Sequence, residues 1–156
     1  MIDFHTEHVC SFNVPGAEGV PPEVIGPVAE GLRVTFYSGP GGLVEGPRMR
    51  GKVRAVGGDW MTVRRDGVGI MDARVTLELD HGALVLVTYG GTVELGEDGY
   101  ERFLRGELPS LVRLRTSPRF FTSHPRHLWL NRLHCVGVGV YRPAERQVHY
   151  DVHAVT

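Results

Sequence analysis

Hydrophobic and polar residues alternate along many short runs of this 156-residue chain, as expected of β-strands with one apolar face. Glycine-containing turn signals at 57–59, 66–67 and 81–82 divide residues 45–87 into four such runs, which predicts a four-stranded antiparallel meander. In the clearest run, one face carries Met71, Ala73, Val75, Leu77 and Leu79, and the opposite face carries Asp72, Arg74, Thr76, Glu78 and Asp80. Alternation does not reveal which face points to solvent.

The rest of the chain adds further extended segments and one short helix. Alternation or β-branched content predicts strands at about 8–14, 32–37, 110–119, 128–141 and 147–155. Asp98, Glu101 and Gly106 form the capping and stop signals of a short helix, short enough to lie as a lid across one end of a barrel. With no βαβ rhythm and nine or ten strands, we predict an all-β single domain over residues 1–156. Its expected architecture is a closed or nearly closed antiparallel β-barrel.

Charge and composition narrow the function classes. The chain has 17 Lys and Arg against 18 Asp and Glu, so no strong positive field would attract nucleic acid. No apolar stretch reaches the roughly 18 residues of a membrane span, and the first ten residues lack the pattern of a signal peptide. The expectation is a cytoplasmic protein that binds neither nucleic acid nor membrane.

Five separated motifs resemble one known family. They are EGPRMRGKV (45–53), GGDW (57–60), DGVGIMDARVTLELDHGALVLV (66–87), RTSPRF (115–120) and WLNR (129–132). In this order they resemble the domain-of-unknown-function family 3237 (DUF3237), also called UPF0311. The resemblance implies a compact antiparallel β-barrel from a bacterium or fungus, and it brings one catalytic association, lyase chemistry on a hydroxylaminobenzoate.

The chain departs from the family pattern at two places. His124 and His127 stand in SHPRHLWLNR where members commonly read GDPRYAWLNR, and Thr88-Tyr89-Gly90 follows LVLV where many members carry Arg or Asn. If these positions line a pocket, the ligand of this protein differs from that of the commonest member.

Four residues are candidate catalytic groups. Arg74 and Arg115 could hold a carboxylate or a developing oxyanion through their guanidinium forks, and Asp72 or His127 could move a proton. The alternative is that the arginines and Asp72 belong to a ladder of ion pairs on a solvent-facing side of the sheet.

Four more residues are candidate ligand contacts. Trp60, Tyr89 and Trp129 would shape an apolar pocket, and the Asn131 amide would orient a ligand. The competing interpretation places the tryptophans and Asn131 in the core.

No metal or other cofactor is predicted. His149 and His153 lie on one strand face but ~13 Å apart at ~3.3 Å per residue, too far to share an ion. His124 and His127 flank Pro125-Arg126 in a predicted loop and supply only two ligands.

The leading hypothesis is a small-molecule-binding barrel, in its catalytic version a cofactor-independent lyase, isomerase or cyclase. The ligand would be a small aromatic or apolar compound with a carboxylate, bound in the lumen. Two alternatives stay open: a binding protein without chemistry, and a structural or partner-binding barrel whose lumen is filled by side chains. A homodimer is a further expectation, based only on the frequency with which such barrels pair.

Overall fold

The computed structural model describes residues 2–156, which form ten β-strands, one short α-helix and two 3₁₀ segments. The strands are β1 (Thr6–Pro15), β2 (Glu23–Val28), β3 (Gly31–Tyr37), β4 (Gly42–Gly46), β5 (Met49–Val63), β6 (Val68–Leu79), β7 (Ala83–Glu94), β8 (Val112–Phe121), β9 (Cys135–Arg142) and β10 (Gln147–Val155). The helix α1 spans Gly99–Leu104, and the 3₁₀ segments span Asp80–Gly82 and Pro125–Arg132.

Eight strands close into a barrel. Their order around it is β5-β4-β1-β10-β9-β8-β7-β6, and pairing of β6 with β5 completes the circle. All pairings are antiparallel, and β3 and β2 extend the sheet from the second half of β5. The predicted antiparallel β-barrel is confirmed. Closure leaves the eight barrel strands without a free edge, since each strand hydrogen-bonds on both sides.

The predicted four-stranded meander is wrong at β5. The sequence predicts a turn at GGD (57–59), but these residues lie inside a single 15-residue strand. The register between β5 and β6 shifts between Val53 and Gly57, which is the irregularity of a β-bulge. Gly57 adopts φ +95°, a conformation that suits glycine, so the local signal resembles that of a turn. The meander therefore has three strands, β5, β6 and β7.

The apolar face of the alternating pattern points into the barrel. On β6, Met71, Ala73, Val75, Leu77 and Leu79 are all buried. The charged face points outward, where Lys52 and Arg54 of β5 meet Glu78 at 3.1 and 3.9 Å. These exposed pairs contribute little to stability, so the buried face determines the register.

Two other predicted elements differ in detail. The strand predicted at 128–141 begins only at Cys135, because Pro125–Arg132 forms a 3₁₀ segment that starts with a proline. The predicted helix is present as α1, but the side chain of Asp98 makes no capping hydrogen bond. No helix among the described residues has the length and hydrophobicity needed to cross a membrane.

The two ends of the barrel are packed differently. At one end the 3₁₀ segment Pro125–Arg132 covers the interior, with Leu130 fully buried and Trp129 and Leu133 packed against the core. At the other end, the connection that contains α1 and the loop after β1 surround a cavity. We call these the packed end and the open end.

Candidate functional site

A cavity of about 130 Å³ occupies the open half of the barrel. An aromatic ring fits a space of this order, since an engineered cavity of roughly 150 Å³ in another protein takes up benzene. Its walls are mainly apolar and come from nearly every strand. Representative lining residues are Val14, Met61, Met71, Val93, Leu114 and Val148.

Three aromatic rings pack together at the inner limit of the cavity. The ring centroids of Phe12 and Tyr150 are 5.0 Å apart, those of Tyr89 and Tyr150 are 5.3 Å apart, and those of Phe12 and Tyr89 are 6.3 Å apart. Tyr150 fits because position 139 is glycine: a Cβ at Gly139 would stand 2.5 Å from Cδ1 of that ring. Both tyrosines line the cavity and are almost fully buried. The lumen therefore has a polar element at its inner limit.

Asp59 is the carboxylate of the cavity wall. It follows the bulge of β5, so that Asp59, Met61 and Val63 share the inward face. Its Oδ1 accepts a hydrogen bond of 2.9 Å from the backbone N–H of Asp72. Burial raises the pKa of Asp59 from 3.8 to about 6, a shift that this hydrogen bond reduces and the charge of Asp72 increases. A carboxyl group with this pKa can both accept and release a proton near neutral pH.

The tyrosines keep their protons. Burial is the main cause that raises the pKa of Tyr89 and of Tyr150, and the negative charge of Asp59 raises both further. The interaction between the two hydroxyl groups lowers the pKa of Tyr89 and raises that of Tyr150, but burial has the larger effect on both. Both side chains are thus neutral hydrogen-bonding groups.

Ser38 adds a hydroxyl without a partner. Its side chain lines the cavity, only 7% of the residue is exposed, and its Oγ makes no hydrogen bond within the protein. Phe36 pairs with Asp59 across β3 and β5, and the N–H of Ser38 bonds to Gly57 O at 3.1 Å. Ser38 and Asp59 therefore lie on the same part of the wall. The Ser38 hydroxyl is therefore free to hydrogen-bond to a molecule that enters the cavity.

The mouth of the cavity carries one cation. Arg146, in the turn between β9 and β10, lines the cavity and donates hydrogen bonds to the carbonyl oxygens of Ala17 and Val20 at 3.0 and 3.4 Å. Phe103 of α1 and Leu108 also line the cavity. The helix thus borders the opening, in agreement with its expected position at one end of the barrel.

One of the eight residues singled out from the sequence, Tyr89, lines the cavity, and the other seven lie elsewhere. Asp72 and Arg74 face outward and pair with each other at 3.0 Å, and the Arg74 guanidinium lies 5.7 Å from the ring centre of Trp60. Arg115 is also exposed and donates to the carbonyl of Leu114 at 2.8 Å. Even-numbered positions of β6 and odd-numbered positions of β8 face outward, so these side chains cannot reach the lumen.

The other three lie at the packed end. Asn131 is exposed, and its amide bonds to both the N–H and the C=O of Thr122 at 2.8 Å. Trp129 is half-buried beneath the guanidinium of Arg48, 4.0 Å from its ring centre. These contacts hold the 3₁₀ segment in place.

His127, also at the packed end, is buried and its Nδ1 has no hydrogen-bond partner. Burial is the main cause that lowers the pKa of His127, and the nearby His124 and Arg126 lower it further. The rings of His124 and His127 are 5.6 Å apart, but no group of three potential metal ligands occurs among residues 2–156. This pair is separated from the cavity by the packed half of the barrel.

Comparison with known proteins identifies the family. The profile of the family described as "Protein of unknown function (DUF3237)" matches residues 4–155. The chain belongs to the DUF3237 family. A relative in this family, a UPF0311 protein of Rhodopseudomonas palustris, is 35% identical over 117 residues, covering 74% of this chain and 75% of the relative.

Solved structures share the DUF3237 barrel. A conserved protein of unknown function from Rhodopseudomonas palustris matches with a TM-score of 0.86 and 27% identity over the whole of both chains. An enzyme from Penicillium herquei matches with a TM-score of 0.64 and 19% identity, covering 97% of this chain and 96% of that one. At that identity the second likeness concerns the fold alone.

Sequence reasoning missed Asp59, Ser38, Arg146 and Tyr150, which all line the cavity. For Asp59 the signal was available: it alternates with Met61 and Val63, so it is a carboxylate on an otherwise apolar face. The signal was hidden because 57–59 was assigned to a turn. Tyr150 sits on the apolar face of the last strand, where nothing local distinguishes a cavity wall from core.

Proposed function

We propose that this DUF3237 barrel binds a small, largely apolar compound in its lumen and acts on it as a cofactor-independent lyase, isomerase or cyclase. One observation carries the proposal: a carboxyl group with a pKa near 6, Asp59, faces an apolar cavity of about 130 Å³ beside buried hydroxyl groups. Apolar walls with a few convergent polar groups and a perturbed pKa are typical of ligand sites and active sites.

Asp59 takes the role of proton carrier that the sequence analysis gave to Asp72 or His127. Its raised pKa supports this role, because a base is most effective when its pKa lies near the working pH. The unpaired hydroxyl of Ser38 supports occupation of the cavity by a molecule that can hydrogen-bond. The Penicillium herquei protein of the same fold is described as an enzyme, so an enzyme has been built on this architecture.

A carboxylate on the ligand would bind at the mouth of the cavity. Arg146 is the cation that lines the cavity, whereas Arg74 and Arg115 lie on the outer surface. Deep in the lumen a second carboxylate would meet Asp59 and be repelled. The apolar part of the ligand would therefore enter first, and the acid would stay beside Arg146.

Binding in the lumen is tested with a matched pair of Val→Phe variants. Val75 lines the cavity, whereas Val138 is 45% exposed on the outer surface. We expect single-ring aromatic acids and ketones to shift the melting temperature of the wild type and of Val138→Phe, and to lose this effect in Val75→Phe. Circular dichroism checks that both variants fold.

Catalysis is tested with Asp59→Asn against Asp72→Asn. For any compound turned over by the wild type, we expect Asp59→Asn to lose at least a hundredfold in kcat, a typical contribution of a general base, and Asp72→Asn to keep nearly full activity. Binding without turnover in a broad screen would favour the non-catalytic binding protein. No binding by any probe would contradict the proposal.

A further inference from the structure

The polar groups of the lumen suggest a substrate class, an inference that depends on the proposed function. Asp59, Ala73 and Tyr89 are successive partners in one row across β5, β6 and β7. Neighbouring strands lie ~4.8 Å apart, so the backbones of Asp59 and Tyr89 stand ~10 Å apart on one wall. The residue between them is Ala73, whose side chain is a single methyl group, and both Asp59 and Tyr89 line the cavity.

Tyr89 is arranged as a hydrogen-bond donor. It is 5% exposed, and its ring contacts that of Tyr150 at 5.3 Å between centroids. Burial keeps its hydroxyl protonated, so Tyr89 can donate a hydrogen bond to a ligand in the cavity. Such a hydrogen bond is stronger in a medium of low polarity than in water.

A carboxylate base and a neutral donor therefore flank one small apolar space. A ligand group that is already anionic would not bind between Asp59 and Tyr89, since the negative charge of Asp59 would repel it. The pair does match a ligand whose charge appears only when Asp59 removes a proton, because the new charge can then form on an oxygen held by Tyr89. The combination of a carboxylate base with neutral donors in an apolar site is one known solution for enolisation.

We propose that the substrate is a small enolisable carbonyl compound, with its carbonyl oxygen hydrogen-bonded to Tyr89 and the adjacent carbon facing Asp59. The bond between that carbon and its hydrogen breaks, and the proton moves to the Asp59 carboxylate. The electron pair moves into the carbon–carbon bond and onto oxygen, giving an enolate that accepts from Tyr89. In a β,γ-unsaturated ketone the enolate is a dienolate, and return of the proton from Asp59 to its γ-carbon completes an isomerisation. In a ketone with a β-substituent, departure of that group with its electron pair leaves the α,β-unsaturated ketone and completes a lyase reaction.

The donor role is tested with 4-nitrophenol, whose phenolate oxygen imitates that of an enolate and whose absorbance reports its ionisation. We expect Asp59→Asn to bind the phenolate more tightly than the wild type, because a negative charge is removed from the site. In this background, we expect Tyr89→Phe to weaken phenolate binding at least about tenfold and to raise the pKa of the bound probe. Tyr141→Phe, the same change at another tyrosine of the lining, serves as the control.

The proton transfer is tested by deuterium exchange. We expect the wild type to accelerate exchange at the carbons beside the carbonyl of 2-indanone in D₂O, followed by NMR, and Asp59→Asn to abolish this acceleration. Unchanged phenolate affinity in Tyr89→Phe, an equal loss in Tyr141→Phe, or bound ketone without exchange would overturn the inference while leaving ligand binding in place. Absence of binding by both probes, in the wild type and in Asp59→Asn, would refute the proposed function itself.

Discussion

Replacement of Asp59 by asparagine should stabilise the protein at alkaline pH. The folded state raises the pKa of Asp59 from 3.8 to about 6, mainly by burial. Between these two values the folded chain binds more protons than the unfolded chain, so the free energy of unfolding falls as the pH rises through this window. Above pH 6 the protein carries the whole penalty of a buried charge.

The size of the effect follows from the shift. Two pKa units at about 1.4 kcal/mol each give a penalty of about 3 kcal/mol at pH 8, which is an upper value for a half-buried group. Asparagine carries no charge and still offers Oδ1 to the N–H of Asp72. We therefore expect Asp59→Asn to raise the free energy of unfolding by about 2–3 kcal/mol at pH 8, or roughly 5–10 °C in melting temperature.

Urea unfolding at pH 4 and pH 8 measures this difference. The gain should be present at pH 8 and nearly absent at pH 4, where the folded state already holds Asp59 protonated. Asp72→Asn removes an exposed carboxylate whose charge adds less than burial to the pKa of Asp59, so it should keep most of the pH dependence of the wild type. An equal gain in the free energy of unfolding at both pH values, or a loss at pH 8, would contradict the conclusion that burial raises the pKa of the Asp59 carboxyl group.

Three other substitutions test the description of the barrel. Gly139→Ala should lower the free energy of unfolding by about 1–3 kcal/mol in urea titrations, because its Cβ would overlap the Tyr150 ring. Arg115→Ala should leave ligand-induced thermal shifts and the free energy of unfolding within about 0.5 kcal/mol of the wild type, since its side chain is exposed; a lost thermal shift would contradict its placement. Asn131→Ala should cost about 1–2 kcal/mol in the same titrations, because both backbone groups of Thr122 lose their partner; an unchanged midpoint would show that these bonds contribute nothing.

The fold was predictable because alternation is a local signal. Along β6 from Met71 to Leu79 each inward residue is apolar and each outward residue is polar, so one face must be buried whatever its neighbours are. The errors fell where two structures share one local signal. Gly57 with a positive φ suits a bulge as well as a turn, and only the pairing with β6 distinguishes them.

The site was harder to predict because it depends on the closure of the barrel. Tyr89 and Asp59 are 30 positions apart in sequence and meet only through the pairing of β5, β6 and β7. Arg74 and Arg115 are candidates only by their chemistry, since a guanidinium group can bind a carboxylate. A charge on the polar face of an alternating strand belongs to solvent, and a charge on the apolar face is the informative exception, since burial of a charge is expensive.

The two ends of the barrel differ in how their interiors are filled. At the packed end, Leu77, Leu130 and Val85 are fully buried, and large apolar side chains fill the lumen. At the open end, the same strands provide a cavity with Asp59 and Ser38 in its wall, an arrangement that costs stability through a raised pKa and an unpaired hydroxyl. Packing alone would favour apolar side chains at both positions. A ligand that hydrogen-bonds to Asp59 and Ser38, as proposed above, would offset this cost in the bound state.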